Sequence, residues 1–323
     1  MVRIINPSNQ FQLKEFDGVF KDQEGNCFFV IRGALRMVEG DNYTGSFGFQ
    51  WNKFTKTQID REARDLSFSY DRFFAETNWK NEDLSGKNVL EVGSGAGRFT
   101  RIVLQDTKAN LYSIDYSDAV TANFKNNRQY GDRLKLFQAS IYEMPFADNS
   151  FDKVFCFGVL QHTPDFKKSV KCLIDKAKIG GEVVVDFYPV NGWWTRINAK
   201  YILRPFTKKM KHEKLLRLTE GNAGWLIRLY FFFAKIKIGK IVNRFLPICD
   251  INRTLPSNLS KKELKEWVIL DTFDMLSPEH DHPQKISTVR KWFEEFGMEV
   301  TFAGYVTYDE NLKAAVVKGV KKI

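Results

Sequence analysis

The chain has 323 residues, a formal net charge of +10 and 43% hydrophobic residues, values that fit a globular protein with one main core and added pieces. No apolar run reaches the ~18–20 residues of a membrane-spanning helix, and the start, MVRIINPSNQ, lacks the apolar stretch of a secretory signal. Cys27, Cys156, Cys172 and Cys249 form no CxxC pair, so neither a disulfide framework nor a zinc knuckle is expected, and the compartment reads as cytoplasmic and reducing.

Residues 1 to about 50 read as short strands and turns, with Gly, Asn and Asp at turn spacing. Residues 47–60, FGFQWNKFTKTQID, begin an aromatic-rich helical stretch. From Asn88 the pattern becomes alternating β and α. Predicted strands are 89–93 (VLEVG), 110–116 (NLYSIDY), 134–140 (LKLFQAS), 153–158 (KVFCFG) and 182–188 (EVVVDFY), with helices between most of them. Such alternation argues for a parallel sheet with right-handed crossovers. After Tyr188 the sheet pattern stops, and residues 190 to about 268 read as helices. An amphipathic helix at 287–298, ended by Gly297, and an antiparallel pair at 299–306 and 313–319 complete the chain.

The charge is uneven. Between Trp193 and Ser260 stand fourteen Lys or Arg against Glu213, Glu220 and Asp250, so the rest of the chain is near neutral. A local basic face points to an anionic partner: a phosphate, a lipid headgroup or nucleic acid.

The strongest chemical signal is Val89-Leu-Glu-Val-Gly93-Ser94-Gly95-Ala-Gly97-Arg98. An apolar strand runs into a glycine-rich turn that opens a helix. Gly93 and Gly95 let the backbone approach a ligand, and the helix start offers free N–H donors. A nicotinamide site would want a third glycine where this chain has Arg98. Asp115 closes the second strand, where a carboxylate can accept two ribose hydroxyls; it can also serve as a cap for the following helix.

The series VLEVGSGAGRFT, SIDYSDA, QASIYEMPFADNSFDKVFCFGVLQHTPD and KIGGEVVVDF, over about residues 87–188, resembles class I S-adenosylmethionine-dependent methyltransferases. The resemblance implies a doubly wound, Rossmann-like α/β fold and S-adenosyl-L-methionine as cofactor. It places Glu91, Gly93, Ser94, Gly95 and Gly97 about the methionine part and ribose edge, Asp115 on the ribose hydroxyls and Tyr116 on the adenine. Where the family usually carries Asp and a small apolar residue after strand three, this chain has Ser140 and Ile141, which are expected at the adenine edge. Phe157, Gly158, Leu160 and His162 fall near the sulfonium. The Asn/Asp-Pro-Pro-aromatic tetrad is absent, which argues against adenine-N6 and glutamine methylation. The flanks SFGFQWNKFTKTQID and LDTFDMLSPEHDHPQKISTVRKWFEEFGM resemble a bacterial subfamily linked with surface-polysaccharide or lipid-linked glycan genes. Its members often carry an N-terminal cysteine-bearing zinc module. Here only Cys27 lies in that region, so no zinc is expected.

Methyl transfer to a hydroxyl benefits from a base at the C-terminal ends of the strands. Candidates are His162, which alternatively caps or packs; His280 and His282 in SPEHDHP; and Tyr188, which is equally explicable as core. The H-x-H pair, with Asp271, Asp274 and Asp281 nearby, lacks a full metal ligand set. Gln50, Trp51 and Gln58 stand where a lid or a packed helix would begin. The greasy basic run GWLIRLYFFFAKIKIGKIVNRFL reads first as a cap over the site and second as a membrane-surface contact through 225–246. It is too apolar for a solvated nucleic-acid surface, so nucleic acid ranks last of the three.

The expected organisation is a small β/turn extension over 1–50, a cofactor-binding core over 51–189, a basic helical cap over 190–268 and a C-terminal part of the core over 269–323. The expected activity is methyl transfer to a small-molecule or lipid-linked acceptor, with O-methylation in glycan or secondary metabolism foremost. An RNA methyltransferase and a non-catalytic cofactor-binding protein at a membrane surface are the rivals. The sequence leaves the oligomeric state open.

Overall fold

The computed structural model describes residues 2–38, 40, 42–60, 67–190, 192–309 and 312–322. Its strands are β1 (Lys14–Phe16), β2 (Val19–Lys21), β3 (Cys27–Ile31), β4 (Ala34–Arg36), β5 (Asn88–Val92), β6 (Asn110–Asp115), β7 (Leu134–Gln138), β8 (Phe151–Cys156), β9 (Ala177–Phe187), β10 (Met298–Asp309) and β11 (Leu312–Lys321). The helices are α1 (Gly45–Lys53), α2 (Phe68–Thr77), α3 (Arg98–Asp106), α4 (Val120–Asn127), α5 (Phe166–Lys176), α6 (Ala199–Thr207), α7 (His212–Ala234), α8 (Gly239–Asn243), α9 (Ile251–Thr254), α10 (Lys261–Leu276) and α11 (Ile286–Glu295).

The strands form one sheet in the order β1-β2-β3-β4-β7-β6-β5-β8-β9-β11-β10. The five strands from β7 to β9 run parallel, and β11 and β10 close the far edge antiparallel. This is the doubly wound, Rossmann-like fold expected from the alternation of strands and helices. Strand order reverses at β5, so crossovers on its two sides go opposite ways and leave a crevice above the C-terminal ends of β5 and β8.

Continuous apolar runs form the central strands because both sheet faces are covered. Leu90, Val154 and Val185 face a core shared with α5 and α11, built on Phe166, Val289 and Phe293. Their neighbours Val89, Phe155 and Val184 face the opposite layer, with Phe73, Trp79 and Phe99. Local signals set the helix boundaries. Asp165 caps α5 by accepting from the Lys168 N–H at 2.9 Å, and Ser260 with Glu263 forms a capping box at α10.

The N-terminal strands join the sheet: β4 pairs parallel with β7, Ala34 opposite Leu136, and carries the meander β1–β3 onto the sheet edge. The Arg36 side chain fastens this join, donating to Gln138 at 2.8 Å and pairing with Asp118 at 2.8 Å. The helical segment also runs past residue 268, which lies inside α10. The apolar face of that helix, with Trp267, Val268 and Phe273, continues unbroken to Leu276. Two small cores hold the segment together, one about Leu226, Tyr230 and Trp267, the other about Leu215, Ala223 and Phe273.

Phe155 is fully buried at the centre of an aromatic cluster, 5.3 Å from both Phe73 and Phe157 between ring centroids. Phe155→Ala removes the ring and leaves a cavity, so a loss of about 3–5 kcal/mol is expected in urea unfolding. A loss under about 1 kcal/mol would mean that the cluster does not hold the sheet to its helical layer.

Candidate active site

The crevice above β5 and β8 opens into a cavity of about 540 Å³ whose walls come from the sheet, from α1 and α10, and from the helical segment. The loop after β5 forms its floor. Gly93 has φ +82°, and a side chain there would strike Val159 at 2.2 Å. Gly95 has φ +53°, and its missing Cβ would lie 3.1 Å from the Trp51 indole. Both positions require glycine, because left-handed backbone and a close neighbour coincide.

Asp115, at the tip of β6, faces this loop. Its Oδ2 accepts from the Gly95 N–H at 2.8 Å; its Oδ1 accepts from the Ser117 N–H at 2.8 Å and from the Ser117 hydroxyl at 2.6 Å. Three donors leave Oδ2 a free lone pair toward the cavity. Burial raises the Asp115 pKa against the pull of these donors.

At the tip of β8, Gly158 and Phe157 line the cavity, and the Gly158 N–H donates to the Asp186 carboxylate at the end of β9. Asp186 also pairs with Arg72 of α2, whose Nε donates to Glu76 at 2.8 Å. Burial works against the Arg72 charge, yet Asp186 and Glu76 hold its pKa well above the usual range. Arg98 has its pKa pulled down to about 10 by burial and by Arg72, so it stays cationic at neutral pH.

His162 follows β8 and lines the cavity. Its Nδ1 lies 3.0 Å from the His280 carbonyl oxygen. A carbonyl only accepts, so Nδ1 carries the proton and Nε2 is the ring's acceptor. Burial lowers the His162 pKa below 6.5, against the opposing charges of Asp274 and Asp281, and the ring is neutral at pH 7. Phe47 packs on it at 5.1 Å and Tyr188 meets it edge-on at 5.6 Å.

Several expected site residues lie elsewhere. Glu91 does not line the cavity: its carboxylate turns into the interior, accepting from Thr100 and, at 2.7 Å, from Ser113, and burial pushes its pKa up to about 7. Gly97 makes room for α4, since a Cβ there would meet the Asn123 side chain at 2.2 Å. Ser140 starts a turn by accepting from the Tyr142 N–H at 3.2 Å, and its neighbour Ile141 reaches the cavity instead. Leu160 is fully buried in the sheet core. The rings of His280 and His282 stack on each other at 5.7 Å outside the cavity lining. Their backbones serve the site instead: the His280 carbonyl fixes His162, and the His282 N–H donates to the Gln161 carbonyl at 2.7 Å. Asp281 between them is taken up by Lys200 at 2.8 Å and Arg204 at 2.7 Å. Among the described residues, no group of three His, Cys, Asp or Glu is placed to hold a metal.

Gly93, Ser94, Gly95, Asp115, Tyr116, Ile141, Phe157, Gly158, His162 and Tyr188 do line the cavity, as do Gln50, Trp51 and Gln58. Sequence reasoning missed Arg72 and Asp186, although an acid closing the run Val183-Val184-Val185 was a visible signal. It also gave Asp271 and Asp274 too small a part. Both project from α10 into the cavity, where burial and Asp274 push the Asp271 pKa up to about 7.

Residues 90–185 match the family model described as a methyltransferase domain. Among curated proteins, the chain is similar to a tRNA U34 carboxymethyltransferase of Nautilia profundicola, 27% identical over 58% of this chain and 67% of that protein. Another, from Idiomarina loihiensis, is 30% identical over 49% of this chain and 53% of the relative. A PKS-NRPS hybrid synthetase of Chaetomium globosum is 25% identical over 67% of this chain, which spans only 5% of the synthetase. Among solved structures, magnesium protoporphyrin IX methyltransferase from Synechocystis PCC 6803, with bound S-adenosylmethionine, aligns at 13% identity and a TM-score of 0.48, over 86% of this chain and 93% of the other. Over residues 90–185 the chain carries a methyltransferase domain.

Two substitutions test the floor of the cavity by calorimetry with S-adenosylmethionine. Gly95→Val is expected to abolish binding in a folded protein, because the side chain fills the approach and the backbone resists φ +53°. Asp115→Asn keeps the shape but removes the charge and one acceptor, and a tenfold or greater loss of affinity is expected. Unchanged affinity in both would place the cofactor elsewhere.

Proposed function

We propose that this S-adenosylmethionine-dependent methyltransferase methylates an oxygen of a small or lipid-linked acceptor, with a glycan intermediate foremost, inside the cavity between the sheet and the helical segment. The carrying observation is His162: a buried, neutral imidazole at the cavity wall, its Nδ1–H committed to the His280 carbonyl and its Nε2 left as an acceptor.

The residues present fit the cofactor. Gly93, Ser94 and Gly95 would hold it on a floor that no Cβ can occupy, and Asp115 would accept its ribose hydroxyls. When bound, S-adenosylmethionine supplies an activated methyl group that is lost by in-line displacement. The acceptor hydroxyl would give its proton to His162 Nε2. Tyr188 lies 3.5 Å from Asp274, at the outer limit of a hydrogen bond, and this pair would orient the hydroxyl. Phe47 and Phe157 would keep water from the reacting atoms. The helical segment from 190 onward acts as the cap that selects the acceptor.

A second reading has a specific observation behind it. The relatives named tRNA U34 carboxymethyltransferases, with the basic segment, keep tRNA as an acceptor class that the sequence reading ranked last.

Methyl-labelled S-adenosylmethionine with the purified chain, offered a bacterial lipid extract, a water-soluble glycan fraction and total tRNA, separates these readings. Label in the lipid or glycan fraction is the expected result. Label confined to tRNA would overturn the acceptor class, and none in any fraction would favour a non-catalytic binder. With the accepting fraction, the rate is expected to fall on an acid limb that lies below the range of an ordinary histidine, because burial lowers the pKa of the base and the base is lost only on its protonation. His162→Gln is expected to lower the rate by about 10²–10⁴-fold and to remove that limb. A limb near 7 that survives the substitution would assign the proton to Asp271.

A further inference from the structure

The helical segment carries most of the large apolar side chains that the protein exposes. Of the nineteen large hydrophobic residues in open solvent among the described residues, twelve fall between Trp193 and Phe245. They are not scattered. On α7, Leu218, Trp225 and Phe232 recur every seven residues and so form one outward stripe, while Leu215, Leu226 and Tyr230 fill the inner face. On α6, Ile202 and Phe206 stand one turn apart on the exposed side. Around α8, Ile238, Ile241 and Phe245 repeat at three and four residues, again outward.

The stripes adjoin. Arg244 donates to the carbonyls of Trp194 and, at 3.2 Å, Ile197; the Ala199 N–H donates to the Arg244 carbonyl at 2.8 Å. Asn243 reaches the Tyr230 carbonyl at 3.1 Å. These bonds bring Trp193 and Trp194, α8 and the C-terminal half of α7 together. Asn198, Lys200, Asn243 and Arg244 also line the cavity, so the apolar face borders the cavity wall.

Cations surround the face. Arg217 and Arg228 lie on the exposed side of α7, and Lys235, Lys237 and Lys240 follow it. Only Glu213, Glu220 and Asp250 oppose the fourteen cations of residues 193–260.

We propose that this face docks on a membrane surface containing anionic phospholipid, with the aromatic and aliphatic side chains set into the headgroup boundary and the lysines and arginines on the phosphates. Tryptophans beside aliphatic residues, rimmed by cations, suit the interface between water and hydrocarbon. The other occupants fit less well. RNA offers phosphates to the cations but nothing to Ile202, Ile238 and Ile241. A second copy of this chain would set two strongly basic faces against each other. The docking is peripheral, since no helix among the described residues is long and apolar enough to cross a membrane.

The test needs neither acceptor nor cofactor, so its failure is distinct from failure of the methyl-transfer reading. The full chain is sedimented with vesicles of phosphatidylcholine alone or with added phosphatidylglycerol. Binding only to the anionic vesicles is expected. Trp225→Ser with Phe232→Ser should weaken it at least tenfold, with affinity for S-adenosylmethionine unchanged because those side chains are in solvent. The set Arg228→Gln, Lys235→Gln, Lys237→Gln and Lys240→Gln should weaken it about fivefold per charge at low salt, and by less as salt rises. No binding to anionic vesicles, or equal binding by the apolar variant, would overturn the proposal. So would tRNA binding, or a dimer in sedimentation velocity, that the apolar substitutions abolish.

Discussion

A short backbone seam fixes the geometry of this protein. The chain leaves the sheet at Tyr188–Val190 and returns at His280–Gln284. There the Gln284 N–H donates to the Tyr188 carbonyl at 3.1 Å and the Val190 N–H to the Gln284 carbonyl at 2.9 Å. The helical segment between these points can depart and return without disturbing β9 because its two ends are paired with each other. The same seam presents the His280 carbonyl to His162 and the His282 N–H to Gln161. Asp281, gripped by Lys200 and Arg204, fastens it to α6. One set of bonds thus closes the helical segment over the cavity and sets the tautomer of the proposed base.

The opposite wall depends on a charge cluster. Asp186 receives Gly158 from the neighbouring strand and Arg72 from α2, so the tips of β8 and β9 and a packed helix share one carboxylate. Buried pairs of this kind add little net stability compared with apolar packing, but losing one partner leaves an uncompensated charge and costs about 3–5 kcal/mol. Arg98 beside it stays cationic. The cluster therefore makes this wall rigid, with the Arg72 and Arg98 cations set against the carboxylates of Asp186 and Glu76.

Much of the fold was legible in the sequence because the central strands are buried on both faces and read as unbroken apolar runs. Gly93, Gly95 and Asp115 were legible for a local reason: a turn that needs positive φ, and an acid at a strand tip. What was not legible is long-range. Nothing in the short strands near Ala34 announces that they pair with Leu136, about a hundred residues away. The orientation of Glu91 depends on Thr100 and Ser113, and the room at Gly97 on Asn123 of another helix. His280 and His282 suggested side-chain chemistry by their type and spacing, whereas the fold uses their backbone.

The central claim is that burial and the seam hold His162 neutral, with its proton on Nδ1. Nitrogen NMR of the histidine-labelled protein, with His162→Gln to assign the signal, reads both properties at one residue. The Nδ1–H tautomer and a pKa lowered from the ordinary 6.5 are expected. The Nε2–H tautomer, or a pKa above 6.5, would contradict the claim and remove His162 as the base.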